Sequence, residues 1–403
     1  MEKNIINCHT HAFNFTCVPD AFLSNYVQRI IAQIAAGLLR VRWLSRPVLF
    51  LVKALANNKT KKMIDFLLIG TSKSVEDVFT ELRKGYQGIY PNARMVILTM
   101  NFDYMTQKGS SGLFETQLAM IKDLKRKYPD VCLPFLGIDP RMEEHGVELI
   151  SYLHSYFNKT NYSGFVGLKL YPSLGFYPFN PQLEKVYSFA EEHSIPMMTH
   201  CTPDGAYYAD SKVPESLQIP VSFNYLTQYS DLPDGVFEAI QELRQTIMHN
   251  LDKKPADFCD FFLHPLNYWD VLDKFPKLKI CLAHCGGEET IVGGNKGTTA
   301  ERWYQNVKEI VTRKAFANTY ADVSFVLYRD DVIEAIRKDM DANPLLSQKL
   351  LFGTDFFMTT RYVKEFDLVE NFRKKIGETY WHQLAIVNPR KYLTSDFFNA
   401  QLI

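Results

Sequence analysis

Two histidines one residue apart stand close to the start of the chain, at the end of a short apolar run. The run reads Ile5-Ile6-Asn7-Cys8-His9-Thr10-His11 and predicts a buried strand. Side chains two residues apart on a strand point to the same side, with Cα atoms roughly 6.5–7 Å apart. His9 and His11 could therefore bind one metal ion. In a chain with ten histidines, such a pair can also be incidental.

Further ionisable residues recur where apolar strand-like runs end, and this pattern favours the metal interpretation. They are Lys169, His200, His284 and Asp355. Any one of them could instead be a core residue whose side chain makes its hydrogen bonds within the protein. Together they supply the imidazole nitrogens and carboxylate oxygens that bind Zn, Mn or Fe. The set predicts a shared centre if one fold brings all the strand ends together.

Eight apolar runs could supply that fold, because helical segments separate them along the chain. The predicted strands are 5–11, 95–100, 131–138, 165–171, 195–200, 278–284, 320–325 and 350–355. Helical spacing is clearest over 118–127, 147–157, 182–193, 269–275 and 332–340. Buried strands joined by helical crossovers indicate a parallel sheet. Eight such units predict an α/β fold of the (β/α)8 TIM-barrel type, in which the C-terminal strand ends share one face.

Two long insertions interrupt this alternation, over 12–90 and 202–260, after strands one and five. The first includes apolar residues at helical spacing between 30 and 56, which predict helices over the barrel mouth. Both insertions would lie on the active-site face of a single domain spanning 1–403. The aromatic residues of the insertions weakly favour an apolar or ring-containing substrate.

The composition excludes several classes of partner. Lys+Arg and Asp+Glu both number 45, so no global charge favours nucleic acid or a membrane surface. Four basic residues interrupt the apolar 30–56 stretch, which argues against a transmembrane helix. Seven cysteines without a CxxC pair, and no signal peptide, predict reduced thiols in a cytoplasmic protein. A small-molecule substrate is expected, and whether the protein forms a homo-oligomer stays open.

Several motifs together resemble the amidohydrolase superfamily, in the branch that includes amidohydrolase-related hydrolases and the aminocarboxymuconate-semialdehyde and resorcylate-type decarboxylases. The resemblance covers most of the barrel. It rests on Ile6 to His11, Gly137-Ile138-Asp139-Pro140-Arg141, Gly164 to Pro172, Ile195 to His200, His264-Pro265 through Trp269, Leu282 to Gly287, Gly353-Thr354-Asp355 and Asn388-Pro389-Arg390. One departure is Asn7, where many members carry aspartate.

The resemblance implies roles for the strand-end residues. The ligands of a first metal would be His9, His11, His200 and Asp355. His284 would bind a second metal or act as an acid/base beside a single one. Lys169 would be either a carbamylated bridge between two metals or a free ammonium that holds a substrate carboxylate. Zn is the expected metal, as one or two ions, with Mn or Fe as alternatives.

The implied chemistry is hydrolysis of an amide, lactone or related carbonyl bond by metal-activated water. Asp355 would accept a proton from that water, and His284 would help to stabilise the oxyanion. The same residues could serve a non-oxidative decarboxylase of an aromatic or unsaturated acid, with His284 or Asp355 protonating carbon. A third alternative is a catalytically silent binding module. Arg141 and Tyr171 are candidate substrate ligands, although a rim ion pair and a packed rim aromatic are the simpler interpretations.

Overall fold

Eight parallel strands in sequential order form the centre of the molecule. The computed structural model describes residues 4–19, 21–22, 49, 58–109, 112–160, 163–203, 205–214, 217, 235–250, 254–294 and 301–402. The strands are β1 Ile6–Thr10, β2 Arg94–Leu98, β3 Cys132–Ile138, β4 Gly167–Leu170, β5 Met197–His200, β6 Ile280–Ala283, β7 Thr319–Asp322 and β8 Leu350–Leu351. Each pairs with the next from β1 to β8. This order confirms the predicted (β/α)8 barrel.

The last strand returns to the first and brings the two ends of the sheet together. The Cys8 amide donates to the Phe352 carbonyl at 2.8 Å, and the Asp355 amide donates to the His9 carbonyl at 2.8 Å. Gly353 permits this approach, because a Cβ atom there would lie 2.6 Å from the His9 Cβ. Glycine is therefore the residue that fits at position 353.

Helices separate the strands as the periodicity predicted. They are α1 Asn58–Gly70, α2 Val75–Lys84, α3 Leu113–Lys127, α4 Leu149–Tyr156, α5 Glu184–Glu192, α6 Val236–His249, α7 Pro255–Phe258, α8 Asp260–Leu263, α9 Tyr268–Lys274, α10 Glu288–Gly293, α11 Trp303–Thr312, α12 Asp330–Ala342, α13 Pro344–Ser347, α14 Glu365–Ile376, α15 Glu378–His382 and α16 Asn388–Leu393. Among the described residues, none of these helices is long and apolar enough to cross a membrane. The helices predicted between 30 and 56 lie outside the described residues.

The barrel interior holds one apolar cluster that all strands except β4 supply. It contains Ile6, Cys8, Val96, Leu98, Leu133, Phe135, Met198, Cys281, Ala283, Tyr320 and Leu351. Val166, immediately before β4, also belongs to this cluster, and Gly167 has no room for a side chain because a Cβ there would lie 2.5 Å from the Phe135 ring. Tyr392 of α16 packs against Phe135 and Tyr320 and donates from its hydroxyl to the Met197 carbonyl at 2.6 Å. The polar tip of this large buried residue is therefore satisfied.

Strand β7 ends earlier than predicted, at Asp322 rather than Phe325. The Ser324 amide donates to Asp322 Oδ1 at 3.0 Å, which turns the chain immediately after the aspartate. Phe325 then has a φ of 64°, outside the range of a strand. The turn places Asp322 and Ser324 at the barrel mouth, a position that the sequence did not reveal.

Candidate metal centre

The ends of strands β1, β6 and β8 bring three of the predicted site residues together. His9, His284 and Asp355 each offer a ligand atom, and these atoms lie within 4.8 Å of one another. His11 joins them, because its Nε2 lies 3.2 Å from Asp355 Oδ1, while His9 Nε2 lies 3.6 Å from the same oxygen. All four side chains are buried. The predicted convergence of strand ends therefore places His9, His11, His284 and Asp355 in one cluster.

Hydrogen bonds on the far side of each ring fix which nitrogen carries the proton. His9 Nδ1 lies 2.8 Å from the Asp322 carboxylate, and His11 Nδ1 lies 3.1 Å from the Leu98 carbonyl. His284 Nδ1 lies 3.1 Å from the Ser324 carbonyl. Carbonyl and carboxylate oxygens only accept, so each Nδ1 must donate. In the neutral rings, Nε2 therefore carries a lone pair.

Burial keeps two of these rings neutral. It lowers the pKa of His9 well below its usual value, and the charges of Lys169, His11 and His200 lower it further. Burial likewise lowers the pKa of His284, with His200 and His9 adding to the effect. A neutral imidazole is the form that binds a metal.

The donor set fits a divalent cation. Lone pairs of imidazole nitrogen face the Asp355 carboxylate, and this arrangement is repulsive unless a cation lies between them. Asp355 Oδ1 is buried and accepts no hydrogen bond from the part of the chain that the structure describes. Nitrogen and carboxylate ligands of this kind suit Zn, Mn or Fe. The residues that would hold the ion are His9, His11, His284 and Asp355.

His200 lies beside this cluster rather than in its centre. Its Nδ1 is 3.1 Å from His284 Nε2, and its ring contacts the Tyr171 ring at 4.7 Å. A Cβ atom at Gly205 would lie 2.8 Å from His200 Nε2, so the glycine lets the chain pass close to the imidazole. The proposal that His200 binds the first metal stays a prediction. A structure with metal bound would test it by showing whether the His200 ring turns towards the ion.

Lys169 is a buried amine without a hydrogen-bond partner among the described residues. Burial lowers its pKa to about 8, and the charges of Asp322 and Asp355 act in the opposite direction. A fraction of the amine is therefore unprotonated near neutral pH, as carbamylation requires. Whether Lys169 is a carbamylated bridge or a free ammonium stays a prediction.

Two residues at the end of β7, Asp322 and Ser324, contact the candidate ligands from behind, and the sequence pattern did not indicate them. Asp322 accepts from His9 Nδ1 at 2.8 Å and from the His284 amide at 2.9 Å. Ser324 Oγ lies 3.0 Å from His9 Nδ1 and 2.9 Å from His284 Nδ1. Contacts of this kind orient metal ligands and fix their tautomers. The available signal was an aspartate inside an otherwise apolar predicted strand.

A second buried polar cluster lies behind β1 and β8 and explains how Asn7 is used. The Asn7 amide donates to Tyr86 Oη at 2.7 Å and to Thr354 Oγ1 at 2.8 Å. Both hydroxyls donate to Glu365 Oε1, at 2.6 and 2.7 Å. Asn7 Oδ1 in turn accepts from the His9 amide at 3.1 Å. The amide thus connects the ligand strand to β8, and the carboxylate in this cluster comes from Glu365.

Unusual backbone conformations concentrate at the same place. Five non-glycine residues of the described chain have positive φ, and four of them lie at the site: His284, Cys285, Phe325 and Asp355, with φ between 50° and 66°. Such conformations cost of order 1–3 kcal/mol each and persist where the surroundings enforce them. Two of the four residues carry ligand atoms, so the fold holds the ligands at an energetic cost.

A cavity of about 540 Å³ opens directly above the cluster. Its walls carry several aromatic rings, and its lining includes His11, Phe22, Tyr171, His200, Tyr207, His284, Phe325, Asp355, Arg361 and Tyr362. Both insertions contribute to it, through Phe22 and Tyr207. Acidic residues of the lining, Asp257, Asp260, Glu288 and Glu289, come from the second insertion and from α10. The cluster is therefore accessible from this cavity to a small molecule.

The two predicted substrate ligands differ in position. Tyr171 lines the cavity, and its hydroxyl accepts from the Ala206 amide at 2.9 Å. Arg141 is not among the described lining residues. Its Nε and Nη2 donate to Asp139 at 2.8 and 2.6 Å, and its Nη1 donates to the Tyr104 carbonyl at 3.0 Å. The geometry thus matches the simpler alternative for Arg141, a rim ion pair.

Comparison with known proteins places this geometry in a family. A family model described as amidohydrolase matches residues 106–391, a span that includes Lys169, His200, His284 and Asp355 but not β1. No curated protein matches the sequence.

Solved structures resemble the fold along nearly the whole chain. One is a 2,6-dihydroxybenzoate decarboxylase from Rhizobium, with 14% identity, 97% of this chain and 99% of that chain covered, and a TM-score of 0.50. Another is an amidohydrolase from Burkholderia multivorans, with 9% identity, 96% and 99% coverage, and a TM-score of 0.51. At these identities the likeness shows the fold alone. The family model, in contrast, spans well over half of the sequence, and the chain belongs to the amidohydrolase family.

Proposed function

We propose that this chain is a metal-dependent, non-oxidative decarboxylase of an aromatic or unsaturated carboxylic acid. The observation that carries the proposal is the position of the His9, His284 and Asp355 ligand atoms, which lie beneath a cavity with aromatic walls. Flat walls favour a flat substrate, because offset or edge-on ring contacts stabilise it. The decarboxylase from Rhizobium, which has the same fold along its length, supports this proposal.

The reaction replaces a carboxyl group by hydrogen. The bond between the substrate carbon and its carboxyl carbon breaks, carbon dioxide leaves, and the electron pair that stays on carbon takes up a proton. A divalent cation bound by the cluster would supply a Lewis acid that polarises and orients a substrate oxygen. The protein must bind the ring, exclude water and deliver the proton.

Asp355 is the residue that we assign to proton delivery. In the absence of a cation, burial raises the pKa of its carboxyl. Its side chain reaches the cavity that would hold the substrate. His284 is less suited to donate, because its Nδ1–H is committed to the Ser324 carbonyl and its Nε2 carries the lone pair. His284 would instead bind the cation and orient the substrate.

Hydrolysis of an amide or lactone is the second candidate. It is favoured by the buried Asp355 Oδ1, which accepts no hydrogen bond from the described residues and could take a proton from water. Hydrolysis and decarboxylation need the same cluster, so the products must distinguish them.

The test uses acids labelled with carbon-13 at the carboxyl group, together with lactones and amides of similar size. With metal-loaded protein in deuterated water, the proposal predicts labelled carbon dioxide and one deuterium on the carbon that lost it. Asp355→Asn should abolish the reaction, whereas Asp257→Asn, at the exposed rim of the same cavity, should not. Hydrolysis of lactones or amides without any release of carbon dioxide would overturn the proposal.

A further inference from the structure

One cation stands out in the cavity wall. Arg361 is the only arginine or lysine among the described residues that line the cavity. It ends the short helical turn Met358–Arg361, which follows the ligand Asp355. The Met358 amide donates to the Asp355 carbonyl at 2.9 Å. The guanidinium and the ligand carboxylate thus belong to one short segment.

Aromatic rings hold the guanidinium in place. Its Cζ lies 5.6 Å from the centroid of Phe66, 5.9 Å from that of Phe325 and 5.4 Å from that of Tyr362. Arg361 Nε donates to the Met358 carbonyl at 3.0 Å. Contacts between a guanidinium and aromatic faces are attractive, and a side chain ordered before binding loses less entropy when it binds a ligand.

Phe325 connects this cation to the metal cluster. Its ring centroid lies 6.1 Å from that of His284, while Arg361 Cζ lies 5.9 Å from the Phe325 centroid. A single-ring ligand along Phe325 could therefore place one substituent at the cluster and another at the guanidinium.

The other charged side chains of the described cavity lining are carboxylates, so an anionic group is attracted by Arg361 and repelled by the acids. Carboxylates line the side formed by α10 and the second insertion, where Glu288 accepts from Tyr328 and Glu289 accepts from Arg329. These acids disfavour an anionic group on their side. The guanidinium of Arg361 favours it and can bind a carboxylate through two parallel hydrogen bonds.

From this arrangement, and on the basis of the proposed function, we infer that Arg361 determines specificity for a substrate with a second anionic group. The group at Arg361 is the one that the product keeps. A guanidinium that held the leaving carboxylate would stabilise the substrate more than the transition state, because the negative charge is lost as carbon dioxide forms, and this would slow the reaction. The preferred substrate class is therefore a ring or conjugated dicarboxylate that loses one of its two carboxyl groups.

The test is equilibrium binding by calorimetry, with benzoate and benzene-1,3-dicarboxylate as probes and the full chain loaded with metal. The wild type should bind the dicarboxylate about tenfold or more tightly than benzoate. Arg361→Gln should remove this preference while leaving the dissociation constant of benzoate within about twofold. Arg361→Lys should keep part of it, because one charge remains without the planar fork.

Arg337→Gln is the matched control, since Arg337 is exposed, lies outside the described cavity lining and donates to the Lys375 carbonyl at 3.0 Å. This variant should keep the preference. Thermal melting of each variant checks the fold, and Arg361→Lys retains the positive charge if Arg361→Gln does not fold.

The outcomes separate this inference from the proposed function. A dicarboxylate preference that Arg361→Gln removes supports the inference, even if no acid releases carbon dioxide. Equal affinity of the wild type for both probes overturns it, and so does a preference that survives in Arg361→Gln, even where decarboxylation is observed.

Discussion

The two ends of the barrel interior differ in polarity: the lower end, opposite the mouth, is largely apolar, and the upper end, at the mouth, carries ionisable side chains. At the lower end, Phe135, Tyr320 and Tyr392 pack in an apolar cluster, and the one buried hydroxyl of Tyr392 has its hydrogen bond. At the upper end, Lys169 Nζ and Asp355 Oδ1 are buried without hydrogen-bond partners among the described residues. Unsatisfied buried polar groups destabilise a fold unless a ligand completes them. We therefore propose that the lower end mainly contributes stability and that the upper end binds metal and substrate, although Thr319 Oγ1 at the start of β7 is also buried without a partner among the described residues.

The largest expected effect is the loss of activity when Asp355 is removed. Asp355→Ala should lower turnover by about a thousandfold or more, because the proton carrier and a metal ligand are lost together. The free energy of unfolding of the metal-free protein should change little, since the buried carboxylate lacks a full set of partners. Turnover and denaturant unfolding measure the two effects. A large loss of stability with activity retained would reverse the proposed division.

The lower end should show the opposite pattern. Phe135→Ala should lower the free energy of unfolding by about 3–5 kcal/mol, because it leaves a cavity opposite Gly167 where no side chain can move in. The folded fraction of Phe135→Ala should keep the turnover of the wild type. Phe366→Ala, at a position 45% exposed, is the control and should change stability by less than about 0.5 kcal/mol.

A substitution of Asp322 tests whether a residue that hydrogen-bonds to the candidate ligand His9 affects metal affinity. Asp322→Asn keeps the shape but removes the charge that fixes the His9 tautomer. Metal affinity should fall by about 10- to 100-fold, as is typical for partners of ligand histidines. Metal titration by calorimetry measures this, with Asp341→Asn on the outer surface as control. Unchanged affinity would show that Asp322 plays no part in ligand orientation.

The smallest effect concerns the pH dependence of stability. Burial raises the pKa of Glu365 to about 7 from an ordinary value of 4.5. The folded protein thus holds a proton that the unfolded chain releases, so the free energy of unfolding should fall as pH rises from about 4.5 to 7. Glu365→Gln should remove that part of the slope and be about 1–3 kcal/mol more stable than wild type at pH 8. Denaturant unfolding at several pH values tests this, and parallel curves would contradict it.

The barrel and most of the site were predictable because they follow from local rules. Apolar runs predict buried strands, and parallel strands place their C-terminal ends on one face, so His9, His284 and Asp355 could be assigned to one centre. The expectation of a metal there rested on the positions of these residues at strand ends, and the resemblance to the amidohydrolase superfamily supplied their expected roles.

The remaining residues depend on contacts that no local pattern encodes. Tyr86 and Glu365 meet Asn7 across 79 and 358 positions of sequence, through hydroxyls and one carboxylate. Asp322 acts through a turn that ends β7 early. Arg361 lies in a short loop turn, where its position beside the cavity follows from the packing of Phe66 and Phe325. Such roles become visible only once the distant segments have been placed.

We propose that strand ends from across the chain bind one divalent cation. The most direct test is the metal content of the protein after purification without chelators, measured by atomic emission for the wild type, His9→Ala, and His145→Ala as an exposed control. We expect at least one equivalent of Zn, Mn or Fe in the wild type and in His145→Ala, and its loss in His9→Ala. Folded wild-type protein that contains no metal, and takes up none when these ions are added, would contradict it.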